Sequence, residues 1–232
     1  MKKDSIGNRM KDNYESRYGI KLTRRMPVVL RLDGKSFHTL TRICAKPFDK
    51  AFQAAMQHTA LELCSQIQGA KCAYVQSDEI SILLTDFDRL TTDAWFDYNL
   101  QKIVSISAGI ASACFSYYWS QDNYAVFDSR AFNLPKEEVC NYFIWRQQDW
   151  IRNSIQMLSQ NYYSHKQLHK KNTADMHEML HEKEVNWADL DSVWKNGIFL
   201  FAANGEGWKA NPGIIFTKDR QALEQYIVPI EE

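Results

Sequence analysis

Residues 27–33, PVVLRLD, form an apolar run that closes on the turn pair Asp33-Gly34, and this predicts a buried strand. After Pro47, the residues Phe48, Phe52, Ala55, Met56, Leu63 and Ile67 recur at helical spacing and predict a long helix. Residues 71–84 hold two short apolar runs on either side of QSDE, the pattern of a hairpin with its acids at or beside the turn. A second long helix is expected over roughly 92–119, and AVFDSRAFNLP, 125–135, returns as a strand that stops at Pro135. The order strand, helix, hairpin, helix, strand is the split, ferredoxin-like α+β arrangement, one antiparallel sheet with helices on one face. Asp33 and Asp78 would then be neighbours.

Beyond Pro135 the pattern becomes helical and more basic. Lys136 to about Ser164 reads as one helix, followed by HKQLHKKN, and residues 199–217 read as two strands joined by a Gly/Asn-rich loop. These features divide the chain into a sheet domain, 1–135, and a mainly helical extension, 136–232, with a C-terminal hairpin.

Composition narrows the class. With 232 residues, 45% of them hydrophobic, the chain can bury a sizeable core. No run of about 18 apolar residues points to a membrane span, and the N-terminal stretch lacks the apolar segment of an export signal. Five cysteines without a CxxC pair fit free thiols in a reducing cytoplasm. Equal numbers of basic and acidic residues, 28 each, give no overall field for nucleic acid, so any RNA contact must use local patches.

The chemistry concentrates in two short stretches. In RLDGKSFH, Asp33 ends a strand, Gly34 permits close backbone approach, and Lys35, Ser36, Phe37 and His38 supply consecutive N–H groups that can cradle a phosphate. Across from it, Asp78 in the hairpin could share divalent cations with Asp33, and phosphate-rich substrates favour Mg²⁺ on such oxygen ligands. Glu79 is harder to place. Successive side chains of a regular strand point to opposite faces, so Asp78 and Glu79 do not readily reach the same ion. Arg146, Asp149 and Asn153 are spaced for one helix face. Trp145 and Trp150 are expected in the core.

RLDGKSFH, AKP at 45–47, QSDE at 76–79 and WRQQD with the following RNS occur in the order that resembles the tRNA-His guanylyltransferase superfamily. The resemblance implies a polymerase-like palm that adds nucleotides to RNA in the 3′-to-5′ direction after the 5′ end is activated with ATP or GTP. It implies two Mg²⁺ ions on Asp33, Asp78 and the Gly34 carbonyl, with catalytic roles for Asp33, Asp78 and Glu79. Gly34 to His38, Ser77 and Lys46 match the residues around the nucleotide triphosphate. It further implies nucleoside triphosphates and tRNA as partners and a homotetramer built as a dimer of dimers. Arg24, Arg25, Arg130, Arg146, Arg152, Asn153, Lys166, Lys170 and Lys171 are the candidates for RNA or nucleotide contact. Where eukaryotic members carry a histidine tied to the tRNA-His anticodon, this chain has Ile151. The likeness is therefore to the bacterial and archaeal branch associated with template-directed repair of 5′-truncated tRNAs, with addition of the extra 5′ G to tRNA-His as the alternative.

Three rivals compete with this reading. HEMLH, 177–181, matches the zinc-peptidase pattern HExxH, with His177 and His181 as ligands and Glu178 as base. Its helix is polar, however, and Glu184 and Trp187 stand where an extended motif needs Gly and a third His. A palm-type nucleotidyl cyclase would use the same aspartates but leave the RQ-D helix and the basic extension without a task. A catalytically silent RNA-binding protein would have no use for the intact acids.

Overall fold

The computed structural model describes residues 5–119, 124–203 and 206–228. Helix α1 (Ile6–Asn13) precedes β1 (Val28–Gly34), the short α2 (Phe37–Leu40) and α3 (Lys50–Gln66). The hairpin β2 (Ala70–Gln76) and β3 (Glu79–Leu84) leads to α4 (Leu100–Trp119) and β4 (Phe127–Asn133). The long α5 (Lys136–Gln160) is followed by α6 (His165–Leu168), α7 (Thr173–His181) and α8 (Ser192–Asn196). Strands β5 (Ile198–Ala203) and β6 (Gly207–Asn211) and helix α9 (Gln221–Glu224) complete the fold. Among the described residues, no helix is long and apolar enough to cross a membrane.

All six strands join one antiparallel sheet in the order β4-β1-β3-β2-β5-β6. The C-terminal hairpin adds to the free edge of β2, so the sheet continues across the division expected near residue 136. Alternation along the strands feeds two cores. Val28, Leu30, Leu32, Ile80 and Ile82 pack with α3 and α4 on one face, the helical face expected for residues 1–135. Val29, Leu83, Cys72 and Tyr74 turn to the other face, where Val139 and Phe143 of α5 and Leu223 of α9 cover them. The extension therefore supplies the second helical layer.

Local chemistry sets the ends of the elements. Helix α3 starts three residues after Pro47 because Asp49 caps it, accepting the Phe52 N–H at 2.8 Å. Helix α4 begins at Leu100 rather than near 92, because Phe96, Asp97 and Tyr98 hold left-handed backbone (φ 50°, 50° and 52°). For α5, Pro135 precedes the first turn, where Glu137 and Glu138 complement the helix dipole. Trp150 is buried as expected, whereas Trp145 is half exposed beneath the Arg146 guanidinium, 4.4 Å from its ring centre.

Candidate active site on the sheet rim

The register of four strands writes a chemical gradient across the α5 face of the sheet. The innermost row is apolar: Phe132, Val29, Leu83 and Cys72, from β4, β1, β3 and β2. The next is Arg130, Arg31, Ser81 and Tyr74, and the rim row is Asp128, Asp33, Glu79 and Gln76. Beyond Glu79 the chain turns through Ser77 and Asp78, with Ser77 at φ 46°. The Gly34 N–H donates to the Asp78 carbonyl at 3.1 Å, which fastens the end of β1 to this turn. The structure thus brings Asp33, Gly34, Ser77 and Asp78 together.

The two acids of the hairpin have different surroundings. Glu79 is 5% exposed and accepts a bidentate pair from Arg146, Nε at 2.7 Å and Nη2 at 2.8 Å. Arg31 Nη2 lies 2.7 Å from its other side, and Gln76 Nε2 donates to it at 3.2 Å. Burial opposes the Arg146 charge, but the hydrogen bonds it donates to Glu79 and the charges of Glu79 and Asp149 raise that guanidinium's pKa overall. Asp149 accepts from Arg146 at 3.0 Å and from Arg152 at 2.7 Å, so the predicted helix-face cluster extends inward to Glu79. Asn153 is exposed one turn further on.

Asp33 and Asp78 lack such partners. Arg31 stands 3.8 Å from the Asp33 carboxylate, beyond hydrogen-bond length. Burial and then the Glu79 charge push the Asp33 carboxyl above its ordinary pKa, with Arg31 opposing. Burial likewise raises Asp78, and the charge of Asp33 adds to it against hydrogen bonds from its own backbone N–H and Ser77. Two desolvated carboxylates, each with its ionisation disfavoured by a neighbouring acid, are suited to a hard divalent cation. Among the described residues no three His, Cys, Asp or Glu side chains converge on one metal position, so a cation here would have two carboxylates and no third side chain of these types.

The loop after Asp33 is built around Gly34. A Cβ at Gly34 would lie 2.5 Å from the Phe37 ring, which is buried among Phe52, Phe115 and Phe127. The Lys35 N–H donates to the Val126 carbonyl at 2.8 Å, and Gly34 has already given its own to Asp78. This narrows the predicted phosphate cradle to the N–H groups of Ser36, Phe37 and His38, with Ser36 in the left-handed region at φ 58°. Lys35, Ser36 and His38 are exposed. Lys46 lies on the segment between α2 and α3, where its Nζ donates to the Thr41 carbonyl at 3.2 Å beside a cleft against the last turn of α5.

Other predicted contacts lie elsewhere. Arg24 Nε donates to the fully buried Asp86 at 3.0 Å, and Arg25 donates to the carbonyls of Asp86 and Arg89 at 2.6 and 2.9 Å. These arginines hold a loop at the opposite end of β1, roughly 20 Å from Asp33 at strand rise. Both residues are exposed while holding these partners, apart from the Asp33–Asp78 junction. Lys166, Lys170 and Lys171 are exposed beyond the end of α5, about 20 Å along that helix from Arg146. In α7, His181 and Glu178 are exposed and His177 packs edge-on against Trp187 at 5.8 Å. Residues not singled out from sequence include Asp128, directly opposite Asp33, and Arg31, on Glu79. Alternation in RLDG already put Arg31 and Asp33 on one face.

A palm-like sheet with paired carboxylates at the tip of β1 and in the adjoining hairpin, beside a loop of free amides, is the architecture of a nucleotidyltransferase. The profile of the family described as tRNAHis guanylyltransferase (Thg1) matches residues 7–135. A bacterial tRNA(His) guanylyltransferase-like protein in complex with ATP is 48% identical, with a TM-score of 0.91 over 97% of this chain and 99% of that one. A bacterial protein of the same description in complex with GTP is 46% identical, with a TM-score of 0.86 and the same coverage. A probable tRNA(His) guanylyltransferase of Dictyostelium discoideum is 31% identical, covering 58% of this chain and 54% of that protein. The chain belongs to the tRNA-His guanylyltransferase family of nucleotidyltransferases.

Proposed function

We propose that this protein adds nucleotides to the 5′ end of tRNA in the 3′-to-5′ direction, restoring truncated ends against the opposing strand as template. The observation that carries the reading is the junction of Asp33 and Asp78 through the Gly34–Asp78 hydrogen bond, with both carboxylates partly desolvated and neither hydrogen-bonded to an arginine. The similarity to bacterial relatives bound to ATP and to GTP supports nucleoside triphosphates as substrates and either one for activation of the 5′ end.

The donor set fits Mg²⁺, because both side chains offer hard oxygen and the Gly34 carbonyl adds a third. Two such ions, when bound, would assist deprotonation of the attacking 3′-hydroxyl and neutralise charge on the phosphates. Asp33 and Asp78 hold them at the rim, and the N–H groups of Ser36, Phe37 and His38 donate to triphosphate oxygens. Lys46 adds a positive charge near the same nucleotide. Glu79 acts through Arg146 and Arg31, fixing the hairpin so that Asp78 keeps its place. Ile151, standing where a recognition histidine would serve tRNA-His, favours repair of several tRNAs over addition of a single G to one.

The test is product analysis with Mg²⁺, nucleoside triphosphates and a 5′-truncated tRNA. An RNA lengthened at its 5′ end is expected, together with its loss in Asp33→Ala and Asp78→Ala proteins that still fold. A cyclic nucleotide, or full extension by either variant, would overturn the reading.

A further inference from the structure

Directly behind the acid rim, the sheet places two arginines side by side. Arg31 and Arg130 are cross-strand partners on β1 and β4, and both point to the α5 face. Like charges in such a pair destabilise a sheet unless something of opposite sign compensates them. Their protein partners do so unequally. Arg31 has Glu79 at 2.7 Å, yet its Nε is buried with no hydrogen-bond partner among the described residues. Arg130 has Asp128 of its own strand at 3.6 Å, too long for a hydrogen bond, and its side chain is 57% exposed. A second like-charge pair, Asp33 and Asp128, lies one register step closer to the rim. The β1/β4 surface therefore presents an acid pair and then a basic pair, about 7 Å apart at strand rise. Such a surface is complementary to a cation chelated by phosphate, with the negative oxygens lying over the arginines.

We propose that Arg130, with Arg31, forms a phosphate subsite behind the cation-binding carboxylates, in which the exposed Arg130 fork binds a phosphate group and Arg31 supplies charge from below. The inference rests on the function proposed above for its substrates. Two sources share this chemistry, the 5′-terminal phosphate of the RNA acceptor and the triphosphate of a nucleotide. The subsite is distinct from the amide cradle of Ser36 to His38, which lies past the end of β1.

Arg130 lies on an edge strand and outside the core, so it is the residue to change. In Arg130→Ala, Arg130→Lys and wild-type protein, binding of inorganic tripolyphosphate with Mg²⁺ is measured by calorimetry. KM is measured separately for nucleoside triphosphate and for truncated tRNA carrying a 5′-triphosphate or a 5′-monophosphate, and a Kd for truncated tRNA with a 5′-hydroxyl, which binds but has no phosphate to react. Losing one charge-assisted contact should weaken tripolyphosphate binding roughly 10- to 100-fold in Arg130→Ala, with partial recovery in Arg130→Lys. A rise in KM for the phosphorylated RNAs with an unchanged Kd for the 5′-hydroxyl form assigns the site to the acceptor. A rise confined to the nucleotide assigns it to the triphosphate. Tripolyphosphate affinity and both KM values equal to wild type in Arg130→Ala would overturn the subsite while leaving 5′ addition standing. An inactive wild-type enzyme would instead refute the function, and the calorimetric arm would still decide the subsite.

Discussion

Replacing Glu79 by Ala should cost stability first and activity second, because its carboxylate is the hub of a buried ion-pair network. The substitution leaves Arg146, with a side chain only 6% exposed, without its bidentate partner, and Arg31 loses its 2.7 Å contact. Removing one member of a buried pair costs about 3–5 kcal/mol, much of it the penalty of an uncompensated charge. Arg146 retains Asp149 at 3.0 Å, so the lower end, about 3 kcal/mol, is expected. For a chain of this size, that lowers the melting midpoint by roughly 6–12 °C. Thermal unfolding followed by circular dichroism, checked by denaturant titration with an unchanged m-value, measures it. A Glu79→Met/Arg146→Met double variant should recover at least about 1 kcal/mol over Glu79→Ala, since both charges leave together. A Glu79→Ala protein that melts with wild type yet has lost all transfer would rule out this structural role and move Glu79 into the cation site.

The opposite behaviour is expected of Asp33→Asn and Asp78→Asn: metal-free melting unchanged or raised, with transfer abolished, as read by melting and 5′-extension together. Because folding raises both pKa values, these acids favour the fold fully only below the ordinary carboxylate range, and that contribution is lost as pH rises through the raised values. Mg²⁺ should therefore raise the melting midpoint more at pH 7.5 than at pH 5, and an equal shift at both would contradict the assignment. Gly34→Ala drives a Cβ to 2.5 Å from the Phe37 ring and should cost about 1–3 kcal/mol and displace the amide cradle. Chemical denaturation and KM for nucleotide report the two effects. His181→Ala, on an exposed helix face, should leave 5′ extension unchanged, whereas loss of a zinc-dependent hydrolysis in that variant would revive the peptidase reading.

Much of the site was legible because strand alternation and turn chemistry are local signals. The run PVVLRLDG and the interrupted hairpin around QSDE already placed Asp33 beside Asp78, and period two separated Asp78 from Glu79. What sequence could not show was the partner of Glu79: Arg146 is 67 positions away, and helical spacing revealed only its local tie to Asp149. Sequence also did not show that Arg24 and Arg25 are held by Asp86, a buried acid about 60 residues on in an ordinary loop. The C-terminal hairpin was visible as two strands, but its pairing with β2 is a long-range contact with no periodic trace. Trp145 was expected in the core from hydrophobicity alone, whereas its neighbour in sequence, Arg146, covers one face of the ring and leaves the rest exposed.

Templated addition at a 5′ end is measured with a set of truncated tRNAs differing only in the nucleotide opposite the missing 5′ residue. With Mg²⁺ and all four nucleoside triphosphates, the identity of the added nucleotide is read by sequencing the extended 5′ end. The added nucleotide should change to pair with each template, across tRNAs of different anticodon. Addition of G alone whatever stands opposite, or extension restricted to tRNA-His, would contradict it.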